Sequence, residues 1–164
     1  MARRTALVVD RDLGYRDIVR EVERFQRSEI LIGFQEGTIT HVQTKGDRAK
    51  TGGLSMPQIA AENEFGTQRI PERSFMRTSF DENVTRIQAL IRREYEQVVD
   101  GNKTEANALG LVGLYVVGLI QQKIRQITQP PNSPTTIAIK KSSKPLIDFG
   151  QMVGSVTYVV GRTR

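Results

Sequence analysis

The sequence predicts an α+β fold: a small, mainly antiparallel sheet packed against two long helices, with short helices and an extended loop, in one domain over residues 1–164. Two apolar runs of strand length, at 29–34 and at about 153–160, lie near opposite ends of the chain. Between them are two long stretches with helical character, one ending near Val99 and one centred on 108–120. The first and last thirds of the chain are therefore expected to meet in the sheet.

The N-terminal third predicts one helix, one or two strands and a loop. Residues 12–28 have apolar side chains at helical spacing, with Arg and Glu on the other face. The apolar run at 29–34 is the first strand. Thr38–Thr44 is a candidate second strand, because its side chains alternate in character. Lys45–Ser55 has no periodicity, which predicts a mobile loop.

The first long helix is predicted to run to about Val99, where Gly101 occupies the position of a left-handed cap. Its start has two candidate positions. The helix begins near Phe75, or it begins at Ser79, since Ser79 and Glu82 have the spacing of a capping box.

The second long helix contains thirteen residues without a charge, at 108–120. A membrane span needs about twenty such residues, so this stretch predicts a buried core helix and no membrane partner. Gly110, Gly113 and Gly118 each lower helix propensity. Their presence predicts close approach of a neighbouring helix or sheet.

Short helices are predicted from their end signals. Pro57 in the first turn and Gly66 as the stop delimit one helix, and Ser133 as cap with Pro134 at the first position opens another. Asp148 is expected to cap a single turn that leads into the closing strand. Both faces of that strand are largely apolar, which predicts a position inside the sheet.

Catalytic and metal-binding residues are scarce. The chain has no Cys, and His41 is its single histidine, with no partner at ligand spacing. Glu62 and Glu64 would lie on different helix faces and so do not form an acid/base pair. The segment AKTGG at 49–53 has the letters of a phosphate-binding loop in the wrong order. We expect no enzymatic activity, no metal and no cofactor.

The net charge of +6 lies entirely in residues 121–164, which carry seven basic groups against Asp148. One interpretation is a polyanion nearby, since Lys and Arg neutralise phosphates without sequence selectivity. The other is a solvated surface, because no aromatic residues alternate with these charges. The candidate DNA-facing residues are Lys140, Lys141, Lys144, Arg162 and Arg164.

Three segments together resemble a known family. They are IAAENEFGTQRIPERSFMR at 59–77, PPNSPTTIAIKKSSKPLIDFGQM at 130–152 and the closing SVTYVV. They resemble the virion morphogenesis proteins of tailed bacteriophages, also called neck or tail-completion proteins, over about residues 57–160. The matching residues are Asn63, Glu64, Phe65, Gly66, Ile70, Pro71, Arg73, Phe75 and Arg77 in the first segment, and Ser133, Pro134, Thr136, Ile137, Pro145, Leu146, Asp148, Gly150 and Ser155 in the second and third. The departures are Glu72, Ser74, Phe149 and Val153.

The resemblance implies a structural subunit at the head–tail junction of the virion, assembled in the host cytoplasm. It implies a homo-oligomeric ring of six-fold or twelve-fold symmetry that contacts the connector and tail-terminator proteins and encloses the path of the DNA. By the same resemblance, the turn containing Pro145, Asp148 and Gly150 is a structural connector for the last strand. The alternative functions are a non-specific DNA-binding protein that uses the basic C-terminal quarter, and a small enzyme of unrecognised type.

The IPERSF stretch supplies a candidate subunit interface. Phe75 and Met76 are apolar, and Arg73 and Arg77 flank them. An apolar anchor beside arginines is typical of subunit contacts. The alternative is that Phe75 packs in the core of the chain.

Overall fold

The computed structural model describes residues 13–34, 55–140, 143–147 and 150–163. Within these ranges the elements are α1 (Tyr15–Gln26), β1 (Ser28–Phe34), α2 (Met56–Phe65), α3 (Met76–Val99), α4 (Glu105–Gln126), α5 (Pro134–Lys140), α6 (Gln151–Ser155) and β2 (Val156–Arg162). The architecture is α+β, as the sequence predicts, with the long helices α3 and α4 against a small antiparallel sheet. The candidate strand at 38–44 and the predicted loop at 45–54 lie outside the described residues.

The sheet joins the two ends of the chain. β1 and β2 pair antiparallel, from Ser28 opposite Arg162 to Phe34 opposite Val156. This confirms that the first and last thirds meet in the sheet. The prediction that the closing strand lies inside the sheet is wrong for the part of the chain described, because β2 pairs there with β1 alone. Val159 and Val160 of β2 are exposed.

α4 is the central helix of the core. Its inner face packs against α3 and β2 and is fully buried at Val112, Val116, Ile120 and Ile124. By length and composition alone α4 could cross a membrane, and 44% of its most apolar window is buried inside the protein. The prediction of a core helix at 108–120 is therefore confirmed for the inner face, while the outer face remains exposed.

The glycines of α4 differ in what surrounds them. A Cβ built on Gly113 would lie 2.6 Å from Cγ and 2.8 Å from Cε2 of Tyr158, and one on Gly110 would lie 3.4 Å from the Tyr158 hydroxyl. The sheet therefore approaches the helix closely at Gly113, as its glycine predicts. A Cβ on Gly118 meets nothing within 4 Å, so the close approach predicted there is absent.

α3 begins at Met76, so the candidate start at Ser79 is wrong. Ser79 is buried one turn inside the helix, where its backbone N–H donates to the Phe75 carbonyl (3.2 Å). Gly101 follows the helix with φ of 72°, which confirms the left-handed cap. A capping interaction that the sequence analysis did not identify occurs instead at α2, where the Ser55 N–H donates to the Gln58 side chain (2.8 Å).

The segment before β2 is helical for longer than predicted. Residues 153–155 belong to α6 and not to the closing strand, which begins at Val156. The helical turn is held by a hydrogen bond from the Gly154 N–H to the Gly150 carbonyl (3.0 Å) and by one from the Ser155 hydroxyl to the Gln151 carbonyl (2.7 Å). Asp148, the predicted cap of this turn, lies outside the described residues.

Replacing Gly150 with Ala is expected to lower the free energy of unfolding by about 1 kcal/mol. Gly150 is the N-cap residue of α6 and has φ of 72°, a conformation that disfavours any side chain. Gly154→Ala is the matched control, because Gly154 lies inside the same helix with ordinary φ and open space around its Cα. Urea denaturation should show the loss in the first variant only. Equal effects of the two substitutions would contradict the role assigned to the left-handed conformation.

Candidate functional site

Two of the three segments that carry the family resemblance, 59–77 and 130–152, meet in space. The last turn of α2, the loop before α3, the first turn of α3 and residues 130–132 converge around two charged side chains, Glu64 and Arg73. Both are buried, with exposed fractions of 4% and 5%. We call this arrangement the motif junction, defined by Asn63, Glu64, Arg73 and residues 130–132.

The Glu64 carboxylate caps α3 from a distance in sequence. Its Oε2 accepts from the backbone N–H groups of Phe75 (2.8 Å) and Met76 (2.9 Å). Its Oε1 accepts from the N–H of Arg77 (3.0 Å) and from the Ser74 hydroxyl (2.8 Å). The first N–H groups of a helix have no partner inside the helix and carry partial positive charge, so a buried carboxylate there satisfies both needs.

The hydrogen bonds to Glu64 lower the pKa of its carboxyl group. Burial raises the pKa of the carboxyl, but the hydrogen bonds from the N–H groups of Arg77, Met76 and Phe75 and from the Ser74 hydroxyl together outweigh it. The pKa therefore lies below its ordinary value of 4.5. Glu64 is accordingly an ionised structural group at neutral pH.

Glu94 is a second buried carboxylate with a lowered pKa. Its carboxylate accepts a hydrogen bond from Lys103 (2.5 Å), which lowers the pKa, and burial opposes this effect. Arg93 donates to the other carboxylate oxygen (2.9 Å) and lowers the pKa further. Glu94 thereby ties α3 to the turn that leads into α4.

The protein is expected to lose stability as the pH falls below about 4.5. A carboxyl whose pKa is lower in the folded state binds protons more weakly there than in the unfolded chain, so it stabilises the fold above its unfolded pKa. That contribution disappears as the pH falls through the lowered pKa values of Glu64 and Glu94. Urea denaturation as a function of pH measures the effect. In the Glu64→Gln variant the free energy of unfolding should decrease less steeply as the pH falls. An unchanged dependence on pH would contradict the lowered pKa assigned to Glu64.

Arg73 joins the two segments directly. Its Nε donates to the Pro130 carbonyl (2.8 Å), and a terminal nitrogen donates to the Pro131 carbonyl (3.1 Å). The other terminal nitrogen reaches the Asn63 side-chain oxygen (3.3 Å). Burial lowers the pKa of the guanidinium, but an Arg side chain remains charged at any physiological pH. Carbonyl and amide oxygens therefore surround a buried cation.

Two of the four candidate interface residues lie inside the chain. Phe75 is fully buried and packs edge-on against Phe34, with ring centroids 6.0 Å apart. Together with the burial of Arg73, this corrects the expectation that these two side chains contact another subunit. Met76 is half-buried, and Arg77 is exposed over the Phe65 ring, 5.4 Å from its centroid. A subunit contact through Met76 and Arg77 stays a prediction.

The sequence pattern indicates no structural role for Glu64 and predicts that Arg73 lies at the surface. One signal was available in each case. The residues immediately before α3 offer no Ser, Thr, Asp or Asn at the cap position, which Phe75 occupies, so a buried helix start there requires an acceptor from elsewhere. Pro130 and Pro131 each have a backbone carbonyl that accepts a hydrogen bond but no N–H group. Their carbonyls can therefore bind a donor from another part of the chain.

Replacing Arg73 with Lys is expected to lower the free energy of unfolding by about 1.5–3 kcal/mol. A lysine has one nitrogen and cannot reach two carbonyls and two side-chain oxygens together, so buried acceptors lose their partner. The measurement is urea denaturation. Arg69→Lys, at an exposed position in the same loop, is the control. A loss no larger than that of the control would show that the motif junction contributes little stability.

An apolar groove runs beside the motif junction. It consists of two adjoining cavities of about 470 Å³ each that share Phe80. One lies among α2, β1 and the start of α3, and the other lies between β1 and α3 with α4 as its floor. Its exposed apolar residues are Leu31, Phe65, Phe80 and Ile91. We refer to this feature as the apolar groove.

Lys144 and Arg162, the two candidate DNA-facing residues whose side chains are described, do not lie in one patch. The Lys144 carbonyl accepts from Asn132 (3.3 Å), just beyond the end of α4. Arg162 lies opposite Ser28, whose hydroxyl donates to Glu105 at the start of α4. A helix of 22 residues separates these ends by about 33 Å. The side chain of Lys140 and residues Lys141 and Arg164 lie outside the described part.

The predicted connector turn is partly described. Pro145 and Leu146 are buried, and Gly150 has a left-handed backbone with φ of 72°. The described ranges contain no group of three or more His, Asp or Glu residues that could hold a metal ion. His41 lies outside those ranges.

Comparisons with protein families, with curated proteins and with solved structures find no match to this chain. The resemblance to phage neck proteins therefore rests on the residues of the two motifs. What the structure adds is that these residues are neighbours in the fold, at Glu64, Arg73 and residues 130–132.

Proposed function

We propose that the protein is a structural component of a tailed-bacteriophage virion, a neck or tail-completion subunit that forms a ring at the head–tail junction. The observation that carries the proposal is the motif junction. The first two of the three segments that resemble the family are 57 residues apart at their contact, and Arg73 of the first donates to Pro130 of the second. Matched residues that form a buried joint support the proposal more strongly than a short motif on the surface would.

The roles of the matched residues support this interpretation. Glu64 and Arg73 are buried hydrogen-bonding groups, Phe75 is a core residue and Gly150 begins a helix. Each holds parts of the fold together, and the carboxylate of Glu64, which borders the apolar groove, is occupied by hydrogen bonds to the start of α3. We therefore propose a role in assembly without chemistry of its own.

DNA contact is the weaker alternative. A non-specific DNA-binding surface needs several cations along one face to neutralise successive phosphates. Lys144 and Arg162 instead lie near opposite ends of α4. Contact with DNA that passes through a ring remains compatible with the proposed function, since it needs no sequence readout.

Loss of the protein is the direct test. A phage with a stop codon early in this reading frame is expected to produce DNA-filled heads and separate tails that do not join, or tails that are incomplete. Supplying the protein from a plasmid should restore infectious particles. Joined particles of normal titre in the absence of the protein would overturn the proposal, as would its absence from purified virions by mass spectrometry.

A further inference from the structure

The outer face of α4 is apolar and uncovered by any described residue. No charged residue occurs between Glu105 and Lys123, so the helix is uncharged on both faces over more than four turns. Exposed residues at spacings of three and four positions form a stripe on the outside, with Leu114 exposed at 63%. We call this stripe the α4 ridge, defined by Leu111, Leu114, Tyr115 and Gly118.

The ridge and the apolar groove lie on opposite sides of the same helix. The inner face of α4 supplies the floor of the groove through Leu109, Val112 and Val116. The ridge residues point the other way, as their exposure and helical positions require. One molecule therefore carries a concave apolar surface on one side and a convex apolar surface on the other.

Arg77 also lines the groove but is paired with Glu72, and the remaining exposed charges beside the two surfaces are opposite in sign. Arg125 is exposed seven positions beyond Gly118, on the ridge side of the helix. Asp81 is exposed and lines the groove. Neither side chain forms an ion pair with another described residue. A cation at the end of the ridge thus has a matching anion at the groove of another copy.

Lipid is a poor occupant of the ridge. Insertion of α4 into a bilayer would separate its inner face from α3 and β2 and dismantle the core. The adjacent helix α3 also exposes charged side chains at Arg86, Arg92, Arg93 and Glu96. An apolar helix face in such a surrounding is typical of a protein–protein contact.

We infer that the α4 ridge of one molecule docks in the apolar groove of the next, with Arg125 of the first beside Asp81 of the second. The inference rests on the proposed function and specifies which surfaces of the ring subunit meet. A contact between two different surfaces is heterologous, so it propagates from copy to copy and closes into a ring when the rotation allows.

Disulfide trapping tests the contact on the purified protein, because the chain has no native cysteine. A tagged Asp81→Cys chain is mixed with an untagged Arg125→Cys chain and oxidised at high protein concentration. We expect a disulfide-linked heterodimer, and few homodimers from either chain alone. Arg86→Cys, on the outward side of α3, replaces Asp81→Cys in the control mixture and should give little product.

Blocking substitutions identify the surfaces involved. Leu114→Glu in the Arg125→Cys chain, or Phe80→Glu in the Asp81→Cys chain, should abolish the heterodimer. Each variant is first shown to be folded by circular dichroism, and one that unfolds is replaced by Leu111→Gln or Ile91→Gln.

The outcomes separate this inference from the proposed function. Homodimers of the Arg125→Cys chain alone would indicate a symmetric ridge-to-ridge contact and overturn the inference. Absence of cross-links would indicate another occupant, either a different protein or another part of the same chain, and would overturn it too. Either result, with the protein present at the neck of the virion, leaves the proposed function standing. A cross-link in a protein absent from virions refutes the proposed function alone.

Discussion

Replacing Glu64 with Ala is expected to lower the free energy of unfolding by about 2–4 kcal/mol, because several donors at the start of α3 lose one charged acceptor together. The substitution leaves the N–H groups of Phe75, Met76 and Arg77 without an acceptor at the buried start of α3. Urea denaturation followed by circular dichroism measures the loss. A loss of this size is a large share of the stability of a small domain.

Glu62→Ala is the matched control for that experiment. Glu62 lies two positions earlier on the same helix, is only half-buried and forms no hydrogen bond or ion pair with the described residues. We expect its replacement to change stability by no more than about 0.5 kcal/mol. Similar losses in the two variants would show that Glu64 acts only through the helix propensity of α2.

Replacing Gly113 with Ala is the second substitution with a large expected effect. The new methyl group would overlap the ring of Tyr158, so β2 must move away from α4 or the ring must leave its position. Overpacking of this kind costs about 1–3 kcal/mol, and after the gain of about 1 kcal/mol that Ala gives in a helix a net loss of up to about 2 kcal/mol is expected. Thermal denaturation should show a lower midpoint.

Gly118→Ala is the control for Gly113→Ala. Gly118 is exposed in the same helix and has open space at its Cα, so its replacement should raise stability slightly. A double-mutant cycle with Tyr158→Ala gives a second check, because the cost of Gly113→Ala should largely vanish once the ring is absent. A cost that persists in the Tyr158→Ala background would contradict the proposed overlap.

Local signals in the sequence were enough to place most of the fold. The two strands were visible as apolar runs, and Gly101 marked the left-handed cap at the end of α3. Ser133 likewise caps α5 as expected, accepting from the Thr136 N–H (3.2 Å). Each of these signals depends on residues a few positions apart, which is why composition and spacing reveal them.

Apart from the local cap between Ser55 and Gln58, the interactions that the sequence did not reveal are long-range. The first N–H groups of α3 donate to Glu64, eleven positions before Phe75. The N-cap residue itself has no capping side chain that would indicate this contact. Arg73 resembles a surface residue in sequence, yet carbonyls 57 and 58 positions away surround it. Tertiary contacts of this kind convert a charged residue into a core residue, and periodicity carries no information about them.

The predicted subunit interface differs from the observed arrangement for the same reason, because long-range contacts bury part of it. An apolar pair flanked by arginines predicts a surface contact when each residue is judged alone. In the fold, Arg73 and Phe75 lie inside, and Arg77 remains exposed. The exposed apolar surfaces belong instead to the groove beside α3 and to the outer face of α4.

The most direct test of the proposed function is a cryo-EM map of the intact phage particle. We expect density at the head–tail junction that fits the packed helices α3 and α4, with Glu82 of one paired to Lys123 of the other, and the β1–β2 pair beside them, repeated around the tail axis. A map in which other chains account for all density at the junction, and in which this fold appears elsewhere or nowhere in the virion, would contradict the account.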